Sequence, residues 1–230
     1  MFDHAEIRVS DRAASRAFYE LALGEPTHES DEFTEWGAFG IADGPVSKRL
    51  HAGFGVRDRA AVDAWWERMT GAGYESDGEP GPRPQYSEGY YGAFVLDPDG
   101  NSIEAVVHER SGEGLDHLWF RTRDVDAQRR FYELIAPVVG IRLVTDTRFR
   151  FADGSGSFTF VEGEPTENVH LAFGVPDFAT VEEFHRLLTE AGHRDNGPPG
   201  ERPHYHPGYW GAFVLDPDGH NVEAVFHDRR

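Results

Sequence analysis

Hydrophobic and polar residues alternate with period two at the start of the chain. Over Phe2–Val9, Ala5, Ile7 and Val9 share one face and His4, Glu6 and Arg8 the other, the pattern of a half-buried strand. The period then lengthens: Ala14, Ala17, Phe18 and Leu21 follow helical spacing after Ser10 or Asp11 as cap, and Gly24 with Pro26 ends the run. Short strands are predicted near 33–36 and 38–41. At His51 the sequence starts again, with Ala52, Phe54 and Val56 opposite His51, Gly53 and Gly55. Asp58 caps a second helix whose Val62, Trp65, Trp66 and Met69 form a stripe closed by Gly71 and Gly73. The segment GEPGPRPQYSEGYYG reads as a loop. It leads to a hairpin, with an apolar run at 93–96, an Asp-Pro-Asp-Gly turn, and a strand in which Ile103, Ala105 and Val107 oppose Glu104, Val106 and His108.

The whole pattern occurs twice. GYYGAFVLDPDGNSIEAVVH at 89–108 returns as GYWGAFVLDPDGHNVEAVFH at 208–227, and FYEL occurs at 18–21 and 131–134. An internal repeat of this length divides the chain into domains at 1–110 and 115–230, joined by the polar segment ERSGEG. His117 follows His4 by 113 residues, whereas His170 and Glu223 follow His51 and Glu104 by 119. The extra six residues are expected around DGSGS and EGEPTEN, where a longer loop costs little. In the last helix Val181, Phe184 and Leu188 carry the stripe, and Thr180 with Glu183 suggests a capping box.

Composition narrows the partners. A formal net charge of −19 disfavours nucleic acid and anionic membranes, and no apolar run approaches membrane-spanning length. A small-molecule substrate is the expected partner; whether the chain forms a homodimer is left open. The start shows no basic segment followed by an apolar one, so a cytoplasmic location is expected. With no cysteine in the chain, disulfides, thiolate nucleophiles and sulfur ligation of a metal are excluded, and His and carboxylates remain. Lys48 is the only lysine among many arginines, which fits the codon usage of a GC-rich bacterial genome.

Glu104 and Glu223 sit mid-strand among apolar residues, and a carboxylate there needs a partner. Histidines open the strands that precede them in each copy. Two His and one Glu facing away from the helix-packing side are the composition of a 2-His-1-carboxylate metal site with an open coordination face, and Gly53, Gly55, Ala172 and Gly174 leave room on that side. The loops RPQYSEGYY and RPHYHPGYW add Arg83 and Arg202 as anion binders, and Tyr86 and Tyr205 as proton donors or orienting groups. His108 and His227 read as strand-end residues or as a second layer behind the site.

These motifs, DPDGNSIE and DPDGHNVE above all, resemble the vicinal oxygen chelate superfamily over essentially the whole chain. The resemblance implies an α+β fold of four tandem βαβββ units forming two glyoxalase-like open-barrel domains. It matches His4, His51 and Glu104 to one metal triad and His117, His170 and Glu223 to a second. It also implies a divalent cofactor, Fe, Mn, Zn or Ni, and an enzyme acting on a small oxygenated substrate. The superfamily spans glyoxalases, ring-cleaving dioxygenases, epimerases, antibiotic-modifying enzymes and metal-free antibiotic-binding proteins, so a metal-free binding role is the alternative. Glyoxalase I carries a further acidic ligand on a preceding strand, where rough alignment places Phe39 and Thr159. Extradiol dioxygenases place a tyrosine ten residues before the metal Glu, where this chain has Phe94 and Phe213. Differences between the copies, Glu6 against Trp119 and Trp66 against His185, allow one copy to be structural. Because the linker is short and polar, each domain is expected to close its own site, joining His4 to His51 and Glu104.

Overall fold

The computed structural model of the chain describes residues 2–228. Four successive units repeat one order, a strand, a helix and three strands. The first is β1 (Phe2–Val9), α1 (Arg12–Leu23), β2 (His28–Glu29), β3 (Phe33–Trp36) and β4 (Phe39–Asp43). The second is β5 (His51–Gly55), α2 (Arg59–Gly71), β6 (Ser76–Pro82), β7 (Tyr91–Leu96) and β8 (Ser102–Val107). Then come β9 (Gly114–Thr122), α3 (Val125–Val139), β10 (Ile141–Thr145), β11 (Arg148–Phe151) and β12 (Ser157–Glu162). The last unit is β13 (Val169–Gly174), α4 (Phe178–Glu190), β14 (Asp195–Glu201), β15 (Tyr209–Leu215) and β16 (Asn221–His227). These are the four βαβββ units that the family resemblance implied.

Two eight-stranded open sheets result, ordered β14-β15-β16-β13-β1-β4-β3-β2 and β10-β11-β12-β9-β5-β8-β7-β6. Ile7–Phe120 forms one compact unit, and residues 2–6 together with 121–228 form the other. The N-terminal strand thus begins in the unit built mainly from the second half of the chain. β9, which follows the linker, pairs antiparallel with β5, setting Gly53 opposite His117.

Each helix opens on an aspartate. The side chains of Asp11, Asp58, Asp124 and Asp177 accept hydrogen bonds from N–H groups of the first turn. The capping box expected at Thr180 and Glu183 does not form. Asp177 takes the Thr180 N–H at 2.8 Å, and Glu183 binds Arg186 instead. Val62, Trp65 and Met69 are buried as their spacing predicts, whereas Trp66 lies outside the stripe and donates to Ser76 Oγ at 3.0 Å. β6 and β14 were not anticipated. Their sequences, SDGEPGP and DNGPPGE, look like loops, but both strands lie at sheet edges with irregular register, where proline and bulges are tolerated.

The Asp-Pro-Asp-Gly motif is a structural latch. Asp97 is buried; its carboxylate accepts from the backbone N–H of Asp99 and Asn101 at 2.9 and 2.8 Å and from the Tyr19 hydroxyl at 2.8 Å. Tyr19 belongs to the FYEL segment of α1, so the two repeated motifs are tied to each other. Asp216 repeats the arrangement with Asp218, His220 and, at 3.4 Å, Tyr132.

The six additional residues of the second half lie entirely in one hairpin. Trp36 pairs with Phe39 across a two-residue turn, while Phe149 pairs with Phe158 and the chain continues to a turn closed by Phe151 N–H on Gly156 O at 3.1 Å. The EGEPTEN segment holds none of them, since His170 follows Phe160 at the same spacing as His51 follows Ile41.

Candidate functional site

Strand register brings the site together from residues far apart in the chain. β5 and β8 run parallel with Gly53 beside Glu104, and β9 places His117 on the other side of Gly53. With no Cβ on Gly53 the side chains meet above it: a methyl there would lie 2.2 Å from His117 Cε1. One pleat away, His51 reaches the same point. His51 Nε2 stands 3.2 Å from Glu104 Oε2 and 3.1 Å from His117 Nε2, and His117 Nε2 is 3.2 Å from Glu104 Oε2. The second cluster is His4, His170 and Glu223. His170 Nε2 is 3.0 Å from both His4 Nε2 and Glu223 Oε2, and His4 Nε2 is 3.8 Å from Glu223 Oε2. The structure therefore groups His4 with His170 and Glu223, and His117 with His51 and Glu104. The expectation that His4 joins His51 and Glu104 is corrected: the first strand of each half completes the triad of the other half.

The donor sets fit a divalent ion. Ligands about 2.1 Å from an ion and at right angles to one another lie about 3.0 Å apart, close to the edges found. Three of the four imidazoles also offer the Nε2 lone pair inward, because their Nδ1 nitrogens face acceptors outward. His117 Nδ1 faces Asp116 Oδ2 at 2.8 Å and His4 Nδ1 faces Asp3 Oδ1 at 2.9 Å. His170 Nδ1 lies 3.0 Å from the Asn221 backbone oxygen and 2.8 Å from the Asn221 side-chain amide nitrogen. His51 Nδ1 lies 3.2 Å from Ser102 Oγ, whose own proton goes to Asp77 at 2.6 Å. Two nitrogen lone pairs and a carboxylate oxygen converging at 3.1–3.2 Å repel unless a cation lies among them.

Without a metal that cation is a proton. Burial disfavours charge on His117, but the Asp116 and Glu104 carboxylates outweigh it and raise its pKa to about 9. Burial lowers the His51 pKa and keeps that ring neutral. Glu104 is buried too, which works against ionisation, yet its hydrogen bonds to His117 and His51 hold it below the usual glutamate value.

A further layer repeats in both halves. Asp116 bridges His117 and His108, whose Nε2 lies 3.1 Å from Asp116 Oδ2, and Asp3 bridges His4 and His227, the latter at 2.9 Å. Burial opposes ionisation of these aspartates, but the flanking histidines hold both below the ordinary carboxylate range. His108 and His227 are thus second-layer residues, as their place in the strand suggested. Tyr90 donates to Glu104, with Oη 3.0 Å from both carboxylate oxygens, and Tyr209 to Glu223 at 2.8 Å. Burial and the adjacent carboxylate raise both phenol pKa values, so they act as donors. Sequence reasoning missed the aspartates and the role of these tyrosines. The signals were an Asp directly before His4 and His117, and a Tyr fourteen residues before each Glu.

The loop residues stand farther out. Tyr86 is 37% exposed, its ring 5.1 Å from Tyr90 and 5.3 Å from Trp119; Tyr205 is 44% exposed, its ring 4.8 Å from Tyr209. Arg83 is turned back onto β6, donating to Glu79 O at 2.7 Å, with its guanidinium 5.5 Å from the Phe94 ring centre. Arg202 does the same on β14, with Pro198 O at 2.6 Å and the Phe213 ring. Phe94 and Phe213 in turn lie 5.7 and 6.1 Å from the His51 and His170 rings. The alignment at Phe39 shifts by one: Gly40, paired with Glu35, is the counterpart of Thr159, paired with Arg148. Phe39 is fully buried, its ring 5.1 and 5.2 Å from Tyr19 and Phe54.

Residues 1–105 match the family model for the Glyoxalase/Bleomycin resistance protein/Dioxygenase superfamily. No curated protein matches the chain. Among solved structures, a mutant of glyoxalase I from Zea mays is similar at 21% identity and TM-score 0.73, covering 98% of this chain and 93% of that one. Glyoxalase I from the same plant is similar at 22% identity and TM-score 0.70, covering 98% and 92%. A putative dioxygenase from Bacillus subtilis is similar at 14% identity and TM-score 0.70, covering 99% and 85%. These likenesses establish the shared fold over nearly the full length. The first 105 residues thus match the Glyoxalase/Bleomycin resistance protein/Dioxygenase superfamily, and the internal repeat carries the same motifs through the second half.

Proposed function

We propose that the protein is a divalent-metal-dependent enzyme acting on a small organic substrate with two adjacent oxygen atoms. The metal would be held by His51, Glu104 and His117 in one unit and by His4, His170 and Glu223 in the other. The observation carrying this reading is the convergence of three donor atoms, at 3.1–3.2 Å, in a buried cluster whose outward nitrogens are already engaged. A bound divalent ion supplies Lewis-acid polarisation of substrate oxygens and stabilises an enolate or related oxyanion.

The chain's own residues set the conditions for that chemistry. Tyr90 and Tyr209 hold the glutamates in one rotamer, and Asp116 and Asp3 fix the histidine tautomers. In this reading Tyr86 and Tyr205 would donate a proton or a hydrogen bond to the substrate, and Arg83 and Arg202, released from their backbone carbonyls, would attract an anionic substituent. The phenyl rings of Phe94 and Phe213 occupy the positions beside the histidines where a ring-cleaving enzyme of this family would carry a phenol, which favours oxyanion chemistry over ring cleavage. Protein prepared without chelators should contain up to two divalent ions per chain. The Glu104→Ala/Glu223→Ala double variant should lose them, along with turnover in a screen of vicinally oxygenated compounds. Undiminished metal in that variant would sink the assignment.

A further inference from the structure

The two halves differ on the side of the sheet away from the triad, where Phe54 alternates with Gly53 and Gly55. In Ile7–Phe120 the end of α1, the start of α2 and the neighbouring strands line an open pocket of about 550 Å³, a size typical of small-ligand sites. Trp36, Trp65 and Phe54 contribute its aromatic walls. The indole N–H groups are spent on the Gly24 and Ala22 carbonyl oxygens at 2.8 and 3.0 Å, which leaves ring carbon to face a ligand.

The second half shows what fills the corresponding space. Trp36 corresponds to Phe149 and Phe54 to Phe173. Two residues beyond Phe149, the lengthened hairpin supplies Phe151, 1% exposed, with its ring 5.8 Å from Phe173 and 4.6 Å from Phe2. α3 also runs on to Val139, which is buried. The first half lacks both plugs, because α1 stops at Leu23 against Gly24 (φ 94°) and β3 turns back directly after Trp36. At the rim stand the exposed carboxylates Glu25 and Glu113. The rim's cation, Arg57, is 76% exposed and sits 3.5 Å from Asp58.

We propose that this cavity binds an arylalkylamine, a small molecule carrying one aromatic ring and an ammonium group. The ring takes the place that the Phe151 phenyl fills in the other half, and the ammonium lies by Glu25 and Glu113. The site is independent of the metal triads.

The test is titration of the full-length protein with 2-phenylethylamine, read from the indole N–H resonances. Trp36 and Trp65 should shift saturably, while Trp210 and Trp119, the latter 5.5 Å from His51, stay fixed. Glu25→Gln and Glu113→Gln should each weaken binding about threefold, the scale of an exposed ion pair. Ala61→Phe, which fills the cavity from α2, should abolish it; Thr27→Trp fills it from another wall and keeps the test should Ala61→Phe not fold. Any of three results would overturn the proposal: no saturable shift at Trp36 and Trp65, a shift that survives the filled variants, or equal binding of phenylacetate. A shift at Trp119 in place of Trp36 and Trp65 would move the amine to the triad and equally overturn it.

Discussion

Asp116→Asn separates the two tasks of the carboxylate behind His117. The amide oxygen can still accept from His117 Nδ1, so the tautomer survives while the negative charge is lost. Removing such an outer partner weakens metal binding about 10- to 100-fold. The same charge helps raise the His117 pKa to about 9, and that proton competes with the metal. At pH 7 a ligand with a pKa of about 9 is deprotonated in about one molecule in 100, so the competition weakens apparent affinity about 100-fold relative to pH above 9. Asp116→Asn lowers the His117 pKa toward its ordinary value and relieves up to that factor.

The two effects oppose each other, and pH decides which dominates. Above pH 9 the variant should bind about 10- to 100-fold more weakly than wild type. Toward pH 7 the gap should close, because the proton that hinders the wild type no longer hinders the variant. The measurement is competition against a chelator with a fixed metal between pH 6.5 and 9.5. It should be made in a Glu223→Ala background, so that the unit containing His117 is read alone. A wild-type to variant ratio that stays constant across this range would refute the account of His117 as the proton-holding ligand.

Gly92→Ala should damage the same site from the neighbouring strand. Its methyl would lie 2.2 Å from Glu104 Oε1, which predicts a loss of about 1–3 kcal/mol in chemical denaturation together with at least tenfold weaker metal binding, while Gly211→Ala affects the other cluster. Asp97→Ala should cost about 2–4 kcal/mol, because the buried N–H groups of Asp99 and Asn101 and the Tyr19 hydroxyl lose their acceptor; metal stoichiometry of the folded protein should not change. Metal-free protein should lose stability as pH rises from about 6.5 through about 9. The raised His117 pKa stabilises the fold fully below the unfolded value and ceases to do so above the folded one; thermal melts across that window, with and without metal, test it.

The parts of this protein legible in its sequence are those where one residue's neighbours along the chain decide its fate. Period-two strands around His4 and His51, aspartate caps and the repeated hairpin are of this kind. β6 and β14 were hidden because edge strands need no β-forming composition, only one partner and a tolerance for bulges. The six ligand candidates were legible because histidine and glutamate on the face opposite the apolar one recur in both copies. Asp3 and Asp116 were not singled out: an aspartate next to a histidine in a strand should point to the opposite face, and only the folded geometry shows it bridging two imidazoles. The counterpart of Thr159 was misplaced by one residue because the extra hairpin residues lie just before it, and register there is set by cross-strand pairing.

How the triads pair turns on the linker, and its shortness argues the opposite way from first expectation. β8 ends and β9 begins on either side of a single strand, with Val106 and Gly114 both opposite Gly55 of β5. Those positions are two strand spacings apart, about 10 Å, a distance that residues 108–113 span easily. The crossing leaves a mark: a Cβ on Gly55 would fall 1.8 Å from the Gly112 carbonyl oxygen, so the linker passes directly over a residue with no side chain to block it. A short polar segment is therefore what hopping across β5 requires, and β9 arrives beside β5 with His117 in register with Gly53. β5 then has no open edge for β1, and His4 is left to complete the cluster with His170 and Glu223. The second-half counterpart of Gly53 is Ala172, paired with Glu223. With a methyl where Gly53 has none, the His4 cluster is also the looser one, its longest edge 3.8 Å against 3.2 Å. The same fold thus builds two triads from one repeat without making them equivalent, and the tighter belongs to the unit whose central residue is glycine.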